Sequence, residues 1–167
     1  YRSKRESTAW RSGWDWALFV GGFVPALIFG VAIGNVLQGV PFYFNDDLRI
    51  FYDGTTLFEL LNPYAILCGL VSVAMLVMHG AAWLVLKTEG PVATRARNFG
   101  SIAALATTVL FALGGILLWF GVDGYRFTSE VVTDGPSNPL AKTVEVATGV
   151  WFSNYAAHPW TMLAPAL

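Results

Sequence analysis

Residues 16–40 read WALFVGGFVPALIFGVAIGNVLQGV, and no residue between Asp15 and Asp46 is charged. A helix needs about 20 predominantly apolar residues to cross roughly 30 Å of hydrocarbon. A soluble amphipathic helix would carry a charge on its wet face about once per turn. The stretch therefore predicts a transmembrane helix over 16–40. Two more neutral runs, Leu60 to Leu86 and Asn98 to Val122, predict spans over 63–86 and 98–121. Val146–Leu167 is also uncharged but is interrupted by Asn154, His158 and Pro159. It reads as the start of a fourth span from about residue 159. The fold class expected is all-α, a polytopic transmembrane helix bundle of three full spans plus the start of a fourth.

Composition agrees. The chain has 167 residues, 55% apolar and 13% charged, with a mean hydropathy of +0.55. A soluble domain carries about 25% charged residues, so this surface is not made for water. Aromatics at 15% run against disorder. Ten Lys and Arg against eleven Asp and Glu leave no basic field for nucleic acid. The single cysteine, Cys68, excludes an internal disulfide and any CxxC motif. We read 1–167 as one membrane domain. Tyr1 stands where Met would be expected, and Leu167 falls inside an apolar run. An ionised carboxylate in the bilayer costs several kcal/mol, so the expectation is an internal fragment of a longer polytopic protein.

Punctuation supports the spans. Asn62-Pro63 sets an N-cap residue before a proline at the first helical position. Gly90-Pro91, after Lys87, reads as a helix stop. Aromatics gather at the span ends: Trp10, Trp14 and Trp16; Phe42, Tyr43 and Phe44; Trp119, Phe120 and Tyr125. Amphipathic rings at the headgroup level give such belts. Arg2, Lys4, Arg5 and Arg11 before the first span join Lys87, Arg95 and Arg97 between the second and third. The opposite side has Arg49, Arg126 and Lys142 with eight acidic residues, among them Asp46, Asp47 and Asp53. Positive charge stays cytoplasmic, so the N-terminal segment and residues 87–97 are expected inside. Loops 41–62 and 123–157 are expected outside.

Gly22, Ala26, Gly30 and Gly34 recur every four residues and form a small-residue face on the first helix. Gly100, Ala104, Thr108 and Ala112 repeat the pattern on the third. Small residues let helices approach closely. The face suits packing within the chain, docking of another subunit, or a groove for a small apolar gas. His79 lies eight residues before Lys87, about 12 Å along the axis. An intramembrane ionisable residue is a functional candidate, although a neutral imidazole with one partner also packs cheaply. Met75 precedes His79 by one turn. Haem axial ligands approach opposite faces of the ring, so the two cannot serve together; either could ligate alone with a partner from elsewhere.

Asn35 and Gln38, near the outer end of the first helix, could bond helix to helix or line a polar mouth. Pro25 removes a mid-span backbone donor and predicts a kink. Asp15, between Trp14 and Trp16, suits a helix N-terminus or a proton-entry point. His158, before a proline, reads as a surface or interface residue. No Ser/His/Asp set, HExxH or P-loop is present. Two histidines and one cysteine cannot close a transition-metal site.

These residues, in order, resemble a known family. Trp10-Arg11-Ser12-Gly13-Trp14-Asp15-Trp16 leads to Gly34-Asn35-Val36-Leu37-Gln38-Gly39-Val40-Pro41-Phe42. Leu60-Leu61-Asn62-Pro63-Tyr64 and Met78-His79-Gly80-Ala81 follow. Asp123-Gly124-Tyr125, Ser137-Asn138-Pro139-Leu140 and Asn154-Tyr155 complete the succession. Over nearly the whole chain it is similar to subunit II of the bacterial cytochrome bd-type quinol oxidases, including the cyanide-insensitive branch. The match runs from just before that subunit's fourth helix to the start of its seventh.

The resemblance implies a multi-pass subunit in the bacterial inner membrane, in a complex that oxidises quinol and reduces dioxygen to water. It places the haems and the quinol site in subunit I, against which subunit II packs. No position here matches a haem ligand of the family, so the fragment is expected to bind no cofactor and to hold no catalytic centre of its own. Trp14, Asp15, Trp16, Asn35, Gln38 and His79 remain supporting candidates. Two other classes compete. A secondary transporter would need broken helices or inverted repeats around a polar midplane, which here is nearly bare. A membrane haem protein with its own ligand would rely on His79.

Overall fold

A neutral apolar segment in lipid can satisfy its backbone only within itself, which makes it a helix. The computed structural model describes residues 1–54, 56–130, 134–135, 138 and 141–166. It contains three helices long and apolar enough to cross a bilayer: α1 (Thr8–Gln38), α2 (Pro63–Lys87) and α3 (Gly90–Phe120). The chain is thus an all-α polytopic bundle with short hairpins. It divides into two units, Tyr1–Leu37 with Thr56–Ala112, and Gln38–Thr55 with Leu113–Leu167.

In the first unit, α1 starts two turns before the expected span, because Trp10 to Trp16 continue the helix. It runs unbroken through Pro25, which withholds a donor from the carbonyl of Gly21. The Asn62 side chain caps α2, its Oδ1 accepting from the Ala65 N–H at 2.8 Å. At the other end the Thr88 N–H closes on the Leu84 carbonyl at 2.9 Å. Gly90-Pro91 belongs to the first turn of α3 rather than to a loop. Proline fits there because a first-turn N–H has no intrahelical acceptor. Only Thr88 and Glu89 therefore separate α2 from α3.

Packing in this unit is by small residues. A Cβ on Gly30 would collide with the Cys68 carbonyl and come within 2.6 Å of the Gly69 Cα. One on Gly34 would reach the Ala65 Cα at 2.6 Å, and one on Gly69 the Leu27 carbonyl at 2.9 Å. Gly30 facing Gly69 and Gly34 facing Ala65 make α1 and α2 antiparallel, with backbones in near contact. Gly100 faces Ala81 at 3.0 Å where α2 meets α3. Besides Gly30, Gly34, Gly69 and Asn35, the buried residues described in this unit are Ala26, Val31, Ala65, Ala81, Ala96 and Ala103, with Tyr64. Only 6% of the most apolar window of α3 is buried, so its surface is left to lipid or to other helices.

The second unit carries two antiparallel hairpins. β1 (Phe42–Phe44) pairs with β2 (Ile50–Tyr52), Tyr43 opposite Phe51. β3 (Asp123–Phe127) pairs with β4 (Val144–Thr148), Tyr125 opposite Val146. Trp119 stacks on Phe152 at 4.5 Å, and the Trp151 indole donates to the Asp123 carbonyl at 3.2 Å. Thr148 donates to the Asp123 carboxylate at 2.9 Å. Gly39, at φ +84°, lies beneath the Tyr125 ring, whose Oη would be 2.7 Å from any Cβ there. Two short helices follow, α4 (Ser153–Ala157) and α5 (Leu163–Ala166), joined by a 3-10 turn over Pro159–Met162. Ser137, Pro139 and Leu140, which carry part of the resemblance, lie outside the described residues.

Candidate functional site

The most constrained polar group in the first unit is the Asn35 amide, 6% exposed. Its Nδ2 donates to the Val31 carbonyl at 2.8 Å and to the Leu60 carbonyl at 2.7 Å. Its Oδ1 accepts from Asn62 Nδ2 at 3.2 Å. Asn62 Oδ1 in turn caps α2. Two amides thus tie the end of α1 to the start of α2 with every donor of Asn35 in use. Buried polar groups stabilise a fold only when satisfied, and this pair is. Asn62 was legible in the sequence as a cap; its second partner was not, because nothing in Asn-Pro specifies a facing side chain. Gln38, at the last position of α1, has a buried Oε1 with no partner among the described residues.

At the opposite end of α1, consecutive residues face different ways. Trp14 packs between Tyr1, stacked at 5.6 Å, and Trp10, edge-on at 5.9 Å. Asp15 is exposed and pairs with Arg2, whose Nη2 donates at 3.1 Å. Trp16 is 65% exposed and meets Phe19 edge-on at 5.6 Å. Ser12, Asp15, Trp16 and Phe19 line an open hollow of about 260 Å³.

The small-residue face of α1 is used along part of its length. Ala26, Gly30 and Gly34 are buried, Gly30 and Gly34 against α2, whereas Gly22 has nothing within 4 Å of a would-be side chain. On α3, Gly100 touches Ala81, Ala104 is half-buried, and Thr108 and Ala112 stay exposed. His79 is exposed on α2, on one face with Met75 and Trp83, the latter 59% exposed. None of the other candidates is brought to it. Met75 and His79 share one side of one helix, so the pair does not fit the two-faced ligation of a haem. Among the described residues no three His, Cys, Asp or Glu side chains gather to hold a metal. His158 is exposed at the start of the Pro159–Met162 turn.

Three apolar helices, a glycine seam and an amide clasp are the constrained features of the chain, and comparison with known proteins gives its family. The family described as cytochrome bd terminal oxidase subunit II matches residues 1–167. The chain belongs to this family. It is 50% identical over 167 residues to the probable cytochrome oxidase subunit 2 of Haemophilus influenzae. It is 46% identical over the same length to the cytochrome bd-I ubiquinol oxidase subunit 2 of Escherichia coli strain K12. Both matches cover 100% of this chain and 44% of the relative. A more distant subunit 2, from the cytochrome bd ubiquinol oxidase of Bacillus subtilis, is 28% identical over 119 residues, 67% of this chain and 34% of its own length. The chain therefore spans less than half the length of these curated relatives. Family membership and three spanning helices agree on a membrane subunit of a terminal oxidase.

Proposed function

We propose that this stretch of subunit II is a haem-free scaffold that packs against the haem-bearing subunit of a quinol:oxygen oxidoreductase in the bacterial inner membrane. Quinol and oxygen are handled by the complex, with no catalytic centre in residues 1–167. The supporting observation is where the polar side chains of the helices are committed. Asn35 and Asn62 bond each other and nearby backbone. Ser101, Thr107 and Thr108 each donate to a carbonyl one turn back in α3. The amide pair ties α1 to the start of α2, and the three hydroxyls are spent on the backbone of their own helix. In the same reading the N-terminal segment and residues 87–97 face the cytoplasm, because most of the cations are there.

The test is to purify the oxidase complex carrying Asn35→Leu. Assembled complex and haem content are expected to fall together, while turnover per haem and the quinol KM stay unchanged. A variant that assembles with full haem content but has lost turnover would overturn the scaffold role. So would a stoichiometric haem spectrum from subunit II separated from its partner.

A further inference from the structure

The seam between α1 and α2 sets a facing direction as well as a register. On α2 the residues that meet Gly30 and Gly34 are Ala65, Cys68, Gly69 and Ser72. At about 100° of turn per residue, Leu76, His79 and Trp83 fall within about 40° of that same face. On α1, Phe23, Phe19 and Trp16 fall within about 40° of the face of Gly30 and Gly34. Trp16 and Trp83 lie equally far along the chain from Gly30 and Gly69, toward the Lys87 end, so they stand level. Two tryptophans level on the facing sides of touching helices would bury each other. Instead Trp16 is 65% and Trp83 59% exposed, and Phe19, Leu76 and His79 are exposed as well. The helices therefore part beyond the glycine seam and leave a wedge-shaped cleft between them.

The cause is side-chain size. Gly30 and Gly34 let the backbones close up, whereas Phe23, Phe19 and Trp16 hold them apart. Pro25 stands at the change, where its missing donor makes α1 easy to bend. α3 meets α2 through Ala81, on the side of α2 away from the cleft. The walls are apolar except for His79, eight residues in from Lys87 at the end of α2. Its imidazole has no hydrogen-bond partner among the described residues. Acyl chains would fill the cleft and leave that imidazole unpaired in hydrocarbon, which is costly. A helix with a hydrogen-bonding side chain at this depth fills the cleft and satisfies the imidazole. In the curated relatives more than half of the length lies beyond the matched stretch and can supply such a helix.

We propose that a membrane-spanning helix from the part of subunit II outside residues 1–167 wedges into this cleft, with a hydrogen-bonding side chain against His79. The inference needs the helices to span a bilayer. It does not depend on the haem-free scaffold role proposed above, since the occupant belongs to the same subunit.

The test uses the oxidase complex with full-length subunit II in native membranes. The photo-crosslinking residue benzoylphenylalanine replaces Phe19 or, separately, Trp83. Irradiated samples are resolved by denaturing electrophoresis and mapped by peptide mass spectrometry. The expected adduct is internal to subunit II and joins the probe to a peptide outside residues 1–167. His79→Leu should lower the yield of assembled complex about fivefold, as for one lost hydrogen bond. His79→Gln should keep it, which separates loss of the hydrogen bond from loss of the imidazole. An adduct to the partner subunit, to a lipid or quinone, or only to the facing helix of the cleft would overturn the proposal. So would full assembly of His79→Leu.

Discussion

At the residue scale, Asn35 concentrates the polar energetics of the first unit. Both of its donors and its acceptor are in use, and the carbonyl of Leu60 relies on one of them. Asn35→Leu removes the amide and leaves the Leu60 carbonyl and one Asn62 donor unmatched. An unsatisfied buried group costs about 1–3 kcal/mol. Asn35→Asp has nearly the same shape but replaces two donors with an acceptor facing two carbonyls, so it should destabilise more than leucine does. Thermal inactivation of the detergent-solubilised complex checks this: the expected order of midpoints is wild type, then leucine, then aspartate. Equal midpoints for leucine and wild type would show the amide pair to be dispensable. The sequence marked Asn35, with Gln38 three positions on, as a polar group near the outer end of the first span. Its partner was hidden, since a contact across 27 positions depends on the register between helices.

At the element scale, the seam between α1 and α2 explains what a repeat of small residues does and does not encode. The four-residue spacing of Gly22, Ala26, Gly30 and Gly34 fixes a face, and the structure buries Ala26, Gly30 and Gly34 and leaves Gly22 open. Spacing alone does not say which helix fills the groove or over what length. Gly30→Ala should already force α1 and α2 apart, because the new carbon would lie 2.6 Å from the Gly69 Cα. Gly22→Ala meets nothing within 4 Å and gains helix propensity of about 1 kcal/mol. Assembled complex should therefore drop for Gly30→Ala and hold for Gly22→Ala, measured as the folded fraction after solubilisation. If Gly22→Ala proved the more damaging, the Gly22 end of this face would be occupied by another helix. Other elements were harder to read. Phe42-Tyr43-Phe44 and Tyr125 read as an aromatic belt, and they are also strands of hairpins whose registers come from pairing with distant residues. Gly90-Pro91 reads as a stop because both residues break helices, yet proline in a first turn starts one equally well.

At the scale of the whole molecule, the strongest signal is the separation of charge. The three spans were legible because lipid tolerates no ionised side chain without cost, and their neutral runs are long enough to stand out from any soluble pattern. The seams put the start of α1 and the α2–α3 connection at one end of the first unit, the end that carries Arg11, Lys87, Arg95 and Arg97. Arg and Lys near span ends decide orientation during insertion, while Asp and Glu contribute little. Cysteines placed at Lys4 and at Thr94 in a Cys68→Ser background should therefore react with a membrane-impermeant maleimide only in inverted vesicles. A cysteine at Glu130 should react only in intact spheroplasts; Thr133, in the same loop, lies outside the described residues. Labelling of Lys4 and Thr94 on opposite sides would contradict the antiparallel seams themselves. Joint reversal would keep the bundle and invert its orientation, placing the cationic end on the periplasmic face.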